Sequence, residues 1–544
     1  MPQDKVQGVI KSAEYADVLS DVAVCRYSGA GRLLDQLSSD CNAQWEIDSI
    51  TNGEYVTFSK NGYQSKTYHR NPPAVVRLLE EKLIGYQERL WFQAGEKIKV
   101  YVHSPVNYDA TLFRHGKEKQ KILEFKNNPQ QEQTVPDGFF VEEGLNWGVS
   151  FEYDVPEGSK PGLYSLLLEG KGQDKFAIPF VVSTSNLSST QNRLLVVAST
   201  NTWQSYNLWG GRSRYTNYET LPGNRKGKNF SQIIKSIVRF VKLFMPIKIK
   251  KMLIKYWLKS TEIAEPWMYR KLSIRRPFTN CALESDNWKE PFTNHLAGGE
   301  WRLLAWLEEN ELDYNIISGA ELHFNPGILA GYKAVLFSTH CEYWSCEMFQ
   351  AVKSAHEEHG LWIINLSGNT MYRQIEFYED GSTRCVSLLF ARTCADETKL
   401  IGVRFTNDDY GTCAPYKALV PEHWVFKNTT LNNDDPIFGK KSLNRDTPTK
   451  AGDRNPGRPS ANEPLKGEGA SGWETDKLSS TAPKDFLVIA KGMNSDGGAD
   501  MVVREPKGSR GGGFSASSIV FAGALSIDPV CSSIVKNVLK RAMD

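Results

Sequence analysis

Three short stretches of this chain carry side chains whose types and spacing could do chemistry. The densest is Asn201-Thr202-Trp203-Gln204-Ser205-Tyr206-Asn207-Leu208-Trp209-Gly210-Gly211-Arg212-Ser213-Arg214-Tyr215, directly after the apolar run RLLVVAST. Ligands collect at the carboxyl ends of strands in open α/β sheets, so position alone makes this loop a site candidate, with Tyr206 and Tyr215 as its phenols. Gly210 and Gly211 allow a tight turn. The competing account is that tyrosine and tryptophan only pin a long loop to its sheet.

A second stretch, Thr339-His340-Cys341-Glu342-Tyr343-Trp344, follows the strand-like YKAVLFS. Residues two apart in an extended backbone point the same way, which sets the His340 imidazole beside the Glu342 carboxylate. The alternative is that Glu342 caps a helix starting near Ser345 or Cys346 and His340 is a satisfied polar residue. Asn369, after the strand and glycine of WIINLSGNTMY, is either an orienting amide or turn chemistry.

Together these strand ends offer phenols, an imidazole, a carboxylate and an amide. An oxygen-rich set suits a hard Lewis acid such as ferric iron better than zinc. A metal so held polarises an amide carbonyl and acidifies a water, while a histidine or carboxylate moves protons. Metal-assisted hydrolysis is therefore expected. Two rivals stand beside it. Cys341 could be a nucleophile, although its turn lacks the small glycines of a nucleophile elbow. A non-catalytic protein could instead stack sugar rings on Trp91, Trp147 and Trp209. Glu474 and Asp476, within GASGWETD, either supply a base or order a glycine-rich loop.

The elements that must position these groups are legible in outline. A chain of 544 residues is too long for one ordinary core. Residues 1–83 read as a β-rich segment without motifs. Residues 84–187 hold RLWFQAGEKIKVYVHS, GVSFEYDVP, GLYSLLLEG and KFAIPFVVS, a β-sandwich by pattern. Residues 190–544 alternate strands and helices, an α/β domain. It carries an insert at 216–275 and a loop-rich segment at 380–484. Within the insert, residues 228–260 form a basic, amphipathic helical pair; packing on its own domain is the favoured reading over peripheral contact with an anionic membrane.

Composition excludes several classes. Lys+Arg 65 against Asp+Glu 63 gives a net charge of +2, so nucleic acid is not an expected partner. Nine cysteines without a CxxC pair argue against a thiolate zinc site and a disulfide framework. The opening MPQDKVQGVIKSAEYADVL lacks the apolar core of a secretory leader, and no run of about eighteen apolar residues occurs. A cytoplasmic protein is expected.

Four blocks then carry a resemblance. TWQSYNLWGGRSRY resembles the TW-x-AYN-x-WGG-x-S-x-Y pattern of the N,N-dimethylformamidase large (beta) subunit family, STHCEYW its H-x-E-Y-W segment, LSGNTMY its GGN-x-Y segment, and GASGWETD with GGGFSASSIVFAGAL its C-terminal blocks. They keep the family's order from about Ile84 onward. The resemblance implies a class I glutamine amidotransferase-like (flavodoxin/Rossmann-like) α/β domain and a mononuclear iron held by two tyrosines and one glutamate. Carried over, the ligands are Tyr206, Tyr215 and Glu342, with His340 and Asn369 orienting substrate or ligands. Ser205 and Arg214 depart from the pattern, and a charged Arg214 would favour a more polar substrate than a small dialkylamide. A homo-oligomer acting on a small-molecule or sugar-derived amide is expected.

Overall fold

Continuous apolar runs become strands buried on both faces, and alternating runs become strands buried on one. The computed structural model describes residues 5–183, 193–219, 266–281, 283–289, 295–444 and 465–544. The helical pair at 228–260 lies outside the described residues. The chain divides into two units: Met1–Glu81 with Thr134–Glu142 and Trp209–Arg270, and Lys82–Gln133 with Glu143–Leu208 and Lys271–Asp544.

The first unit is built on two small sheets. Lys5–Ser12 lies between Gln44–Asp48 and Val75–Leu78, and Ala23–Tyr27 pairs with Leu33–Ser38 and Tyr55–Lys60, the latter with Tyr63–Tyr68. Alternation puts Trp45 and Ile47 inside with Ile10, Val24 and Phe58. The loop Trp209–Glu219 belongs to this unit. Gly210 needs its left-handed φ of 96°, and a Cβ there would meet the Val141 side chain at 2.5 Å. Arg212 is fully buried, its Nη2 donating to Glu142 at 2.9 Å and its Nε to Glu219 at 2.8 Å. Arg214 is also buried and donates to the carbonyls of Met268 at 2.8 Å and Arg270 at 2.5 Å. Arg214 thus holds the backbone at Met268 and Arg270, where the sequence suggested substrate selection.

The second unit is β-rich. Residues within 84–183 form a three-stranded and a five-stranded sheet. The remainder centres on nine strands: β1 (Leu194–Ala198), β2 (Asn315–Ser318), β3 (Ala334–Thr339), β4 (Trp362–Ser367), β5 (Tyr416–Ala418), β6 (Ile437–Phe438), β7 (Leu487–Gly492), β8 (Asp500–Arg504) and β9 (Gly513–Ser515). Their spatial order is β2-β1-β3-β4-β9-β8-β7-β5-β6. The first five run parallel, and the rest pair antiparallel. Every residue of β1, β3 and β4 is buried, as LLVVA, AVLFST and WIINLS demand.

Four helices matter for the site: α1 (Thr200–Tyr206), α2 (Ala297–Glu309), α3 (Gly319–Phe324) and α4 (Cys346–His359). Ser318 and Glu321 form a reciprocal capping box on α3. Ser345 caps α4, which ends on Gly360 at φ 73°. The core between sheet and α4 includes Phe337, edge-on to Trp344 at 4.9 Å, with Phe349 and Val352. Removing the Phe337 ring there costs about 3–5 kcal/mol. Cys346 and Cys394 form a disulfide, leaving seven free cysteines. Among the described residues no helix is long and apolar enough to cross a membrane.

Candidate active site

α1 begins straight after β1 and carries Tyr206 on its last residue. Nearly every side chain along it is committed to holding it in place. Asn201 Nδ2 donates to the Tyr343 carbonyl at 3.2 Å, Ser205 Oγ to the Asn201 carbonyl at 2.8 Å, and Gln204 Nε2 to the Leu272 carbonyl at 3.0 Å. Ser205 is therefore a helix contact. Thr202 Oγ1 accepts the backbone N–H of Glu342 at 3.2 Å, which joins α1 to the second stretch.

β3 ends at Thr339, which turns at φ 59°, a left-handed value unusual for a β-branched residue. His340 and Glu342 follow this turn, and their side chains converge. Glu342 does not cap α4, because Ser345 does. Its Oε1 accepts from Arg373 Nε at 2.6 Å, and its Oε2 accepts from the Tyr206 hydroxyl at 3.3 Å. His340 Nε2 lies 3.2 Å from that same Oε2 and 3.2 Å from Glu474 Oε2. Asn369 follows β4 at φ 54°, donates from Nδ2 to Glu474 Oε2 at 2.8 Å, and gives its backbone N–H to Asp476 at 2.8 Å. Gly368 makes this approach feasible: a Cβ would meet the Glu474 carbonyl at 2.5 Å.

The structure thus brings Tyr206, His340, Glu342 and Asn369 together, along with Glu474 and Asp476. Tyr215 belongs to the first unit, where its backbone N–H donates to Ser213 Oγ at 3.1 Å. Sequence reasoning missed three neighbours. His295 packs its ring 4.7 Å from Tyr206, 5.0 Å from His340 and 4.6 Å from Trp473. Arg373 holds Glu342, and Glu300 holds the start of α1. A carboxylate amid the apolar run GGEWRLLAW was a usable signal for Glu300; His295 carried none.

Tyr206, His340, Glu342, Asn369, Glu474 and Asp476 are each at most 6% exposed, so charges here act through little water. Burial, with Glu342 and Glu474 beside it, raises the Tyr206 phenol well above its ordinary value. Burial opposes a charge on His340, but Glu474 and Glu342 outweigh it and push the imidazole up to about 9. Burial lifts Asp476 to about 7. It also lifts the Cys341 thiol to about 12, which removes the thiolate a nucleophile needs. Trp147 and Trp209 are buried and present no face to a sugar.

Among the described residues no three His, Cys, Asp or Glu side chains are arranged to hold a metal, so a metal here would depend on phenol oxygen. Residues 107–534 match the family described as N,N-dimethylformamidase beta subunit-like, C-terminal. The chain belongs to that family. Membership groups it with amide hydrolases. No curated protein matches. Among solved structures, the chain is similar to the major pilin subunit BcpA of Bacillus cereus, at 12% identity over 37% of this chain and 73% of that one, with a TM-score of 0.14. It is also similar to the BSP domain of a biofilm associated protein, at 8% identity over 34% of this chain and 29% of that one, with a TM-score of 0.13. Scores this low place neither fold nor function.

Proposed function

We propose that this member of the N,N-dimethylformamidase beta subunit-like family is an iron-dependent hydrolase of a C–N amide bond, on an amidotransferase-like α/β scaffold. The observation that carries the reading is the convergence of the Tyr206 hydroxyl and His340 Nε2 on one oxygen of Glu342, at 3.3 and 3.2 Å.

The donors fit the metal. Tyr206 and Glu342 set two oxygen donors 3.3 Å apart in a buried site, a donor type that suits a hard cation. Tyr206 and Glu342 would hold the iron. When bound, iron polarises the amide carbonyl and acidifies water. The remaining work falls to side chains of this chain. Arg373 fixes one oxygen of Glu342 and so aims the other toward Tyr206 and His340. His340, whose proton Glu474 and Glu342 favour, is the acid placed to deliver a proton to the departing amine nitrogen. Glu474, 3.2 Å away, is the carboxylate placed to take the proton of the attacking water. Asn369 Oδ1 and Asp476 Oδ2 are buried without hydrogen-bond partners among the described residues, so a substrate N–H or a water would satisfy them. The water oxygen becomes bonded to the carbonyl carbon, the C–N bond breaks, and the products are a carboxylate and an amine. A small-molecule or sugar-derived amide is the substrate class.

Elemental analysis with an ultraviolet-visible spectrum tests this. Iron near one per chain, a phenolate-to-iron charge-transfer band, and amine release from simple amides are expected. Protein expressed with ample iron that binds none, and is unchanged in colour by Glu342→Ala, would overturn the metal reading.

A further inference from the structure

Helix α1 has a problem at its start. Its N-cap residue, Ser199, makes no side-chain capping bond, and its own buried backbone N–H needs an acceptor outside the helix. Glu300, on the first turn of α2, supplies it. Its carboxylate accepts the Ser199 backbone N–H at 3.2 Å from Oε1 and 3.3 Å from Oε2. Oε1 also accepts the Trp203 indole N–H at 3.0 Å. Trp203 itself is fully buried and lies on the helix that ends in Tyr206.

We propose that Glu300 is a positioning residue for Tyr206: by gripping α1 at Ser199 and Trp203 it fixes where the phenol oxygen meets Glu342. The inference rests on the reading of Tyr206 as a metal ligand. Three features make this more than a buried pair. The acceptor lies on a separate helix and two donors on α1 share it, so the contact sets the helix's axial position and its rotation at once. Other anchors of α1 include Asn201 on Tyr343 and Thr202 on Glu342, which face the second stretch of the site, and Gln204 on Leu272. Losing Glu300 would therefore remove the hold at Ser199 and at the Trp203 indole while these anchors stay, so the helix shifts without detaching. Finally, Glu300 touches neither Tyr206 nor Glu342 in any described hydrogen bond, so it acts through the helix.

The test compares the full-length protein with Glu300→Ala, Glu300→Gln and Trp203→Phe. Glutamine keeps an oxygen where Oε1 accepts both donors; alanine removes both bonds; phenylalanine removes one. Hydrogen exchange of the 199–206 amides is measured on metal-free protein, and ferric iron binding is followed through the phenolate band. Glu300→Ala should speed exchange across this segment about tenfold, weaken iron about 10–100-fold and shift the band, as loss of a group supporting a metal ligand does. Trp203→Phe should move all three readouts in the same direction by less, and Glu300→Gln should restore them to within about threefold of wild type. Wild-type exchange and iron affinity in Glu300→Ala, or a glutamine variant as impaired as alanine, would overturn the proposal. Should alanine fail to fold, Trp203→Phe against Glu300→Gln decides by the same exchange readout. If wild-type protein binds no iron, the metal reading fails while the exchange data still judge Glu300.

Discussion

Asn201–Tyr206 and Trp209–Tyr215 are nearly contiguous and read in sequence as one motif, yet the fold uses them differently. The first is a helix whose polar side chains position one phenol against a carboxylate. The second is a glycine-turned loop in the other unit, whose two arginines are consumed by Glu142, Glu219 and backbone carbonyls. The difference teaches that a dense motif can join a site-bearing segment to a structural one, and that charge near a site in sequence need not be charge in the site.

The largest test of this contrast is chemical. Glu342→Gln or Tyr206→Phe should lower amide hydrolysis by about a thousandfold or more in steady-state assays, because each removes a group made to stabilise charge in a dry site. Arg214→Met should leave the rate of the folded enzyme unchanged; a fall in kcat comparable to that of Glu342→Gln would return Arg214 to the site.

Next in size is pH. Burial raises Glu300 to about 8 from 4.5 and Asp476 to about 7 from 3.8, so the folded state keeps protons the unfolded chain releases. Stability from these groups is therefore lost as pH climbs from about 4 to 8. His340, raised to about 9 from 6.5, contributes stability that is full below 6.5 and lost through 9. All three signs agree. Metal-free protein should lose about 3 kcal/mol or more between pH 5 and 9 by urea denaturation, and Glu300→Gln should flatten the slope. A stability that rises over this range would contradict the burial of these groups.

On the loop side, Arg212→Met removes a buried partner from Glu142 and Glu219, which keep Arg270 and Arg77, and should cost about 1–3 kcal/mol in urea unfolding, with iron content of the folded fraction unaltered.

Sequence carried the strands of the parallel half because LLVVA, AVLFST and WIINLS are apolar throughout, a pattern with few other uses. It could not show that Gly513–Ser515 inserts beside Trp362–Ser367, since three residues rich in small side chains carry no periodicity and the pairing is set by distant partners. His340 and Glu342 were readable from spacing, although the left-handed turn at Thr339 before them was not. Arg373 and His295 were invisible for a plainer reason: their roles exist only once separate segments meet. The disulfide between Cys346 and Cys394 was equally hidden, because pairing depends on proximity and not on count.

The pairing of Trp362–Ser367 with Gly513–Ser515 also bears on the order in which the protein is made. A ribosome that has delivered the chain as far as Asp476 has synthesised every side chain of the site, yet the strand that completes the sheet beneath Asn369 is still to come. Through that interval the strand edge stays open and the buried carboxylates face water, so the nascent chain is both inactive and prone to wrong pairing. Pairing of Gly513–Ser515 closes this edge, which makes loss of that strand a lesion of the site as much as of the fold.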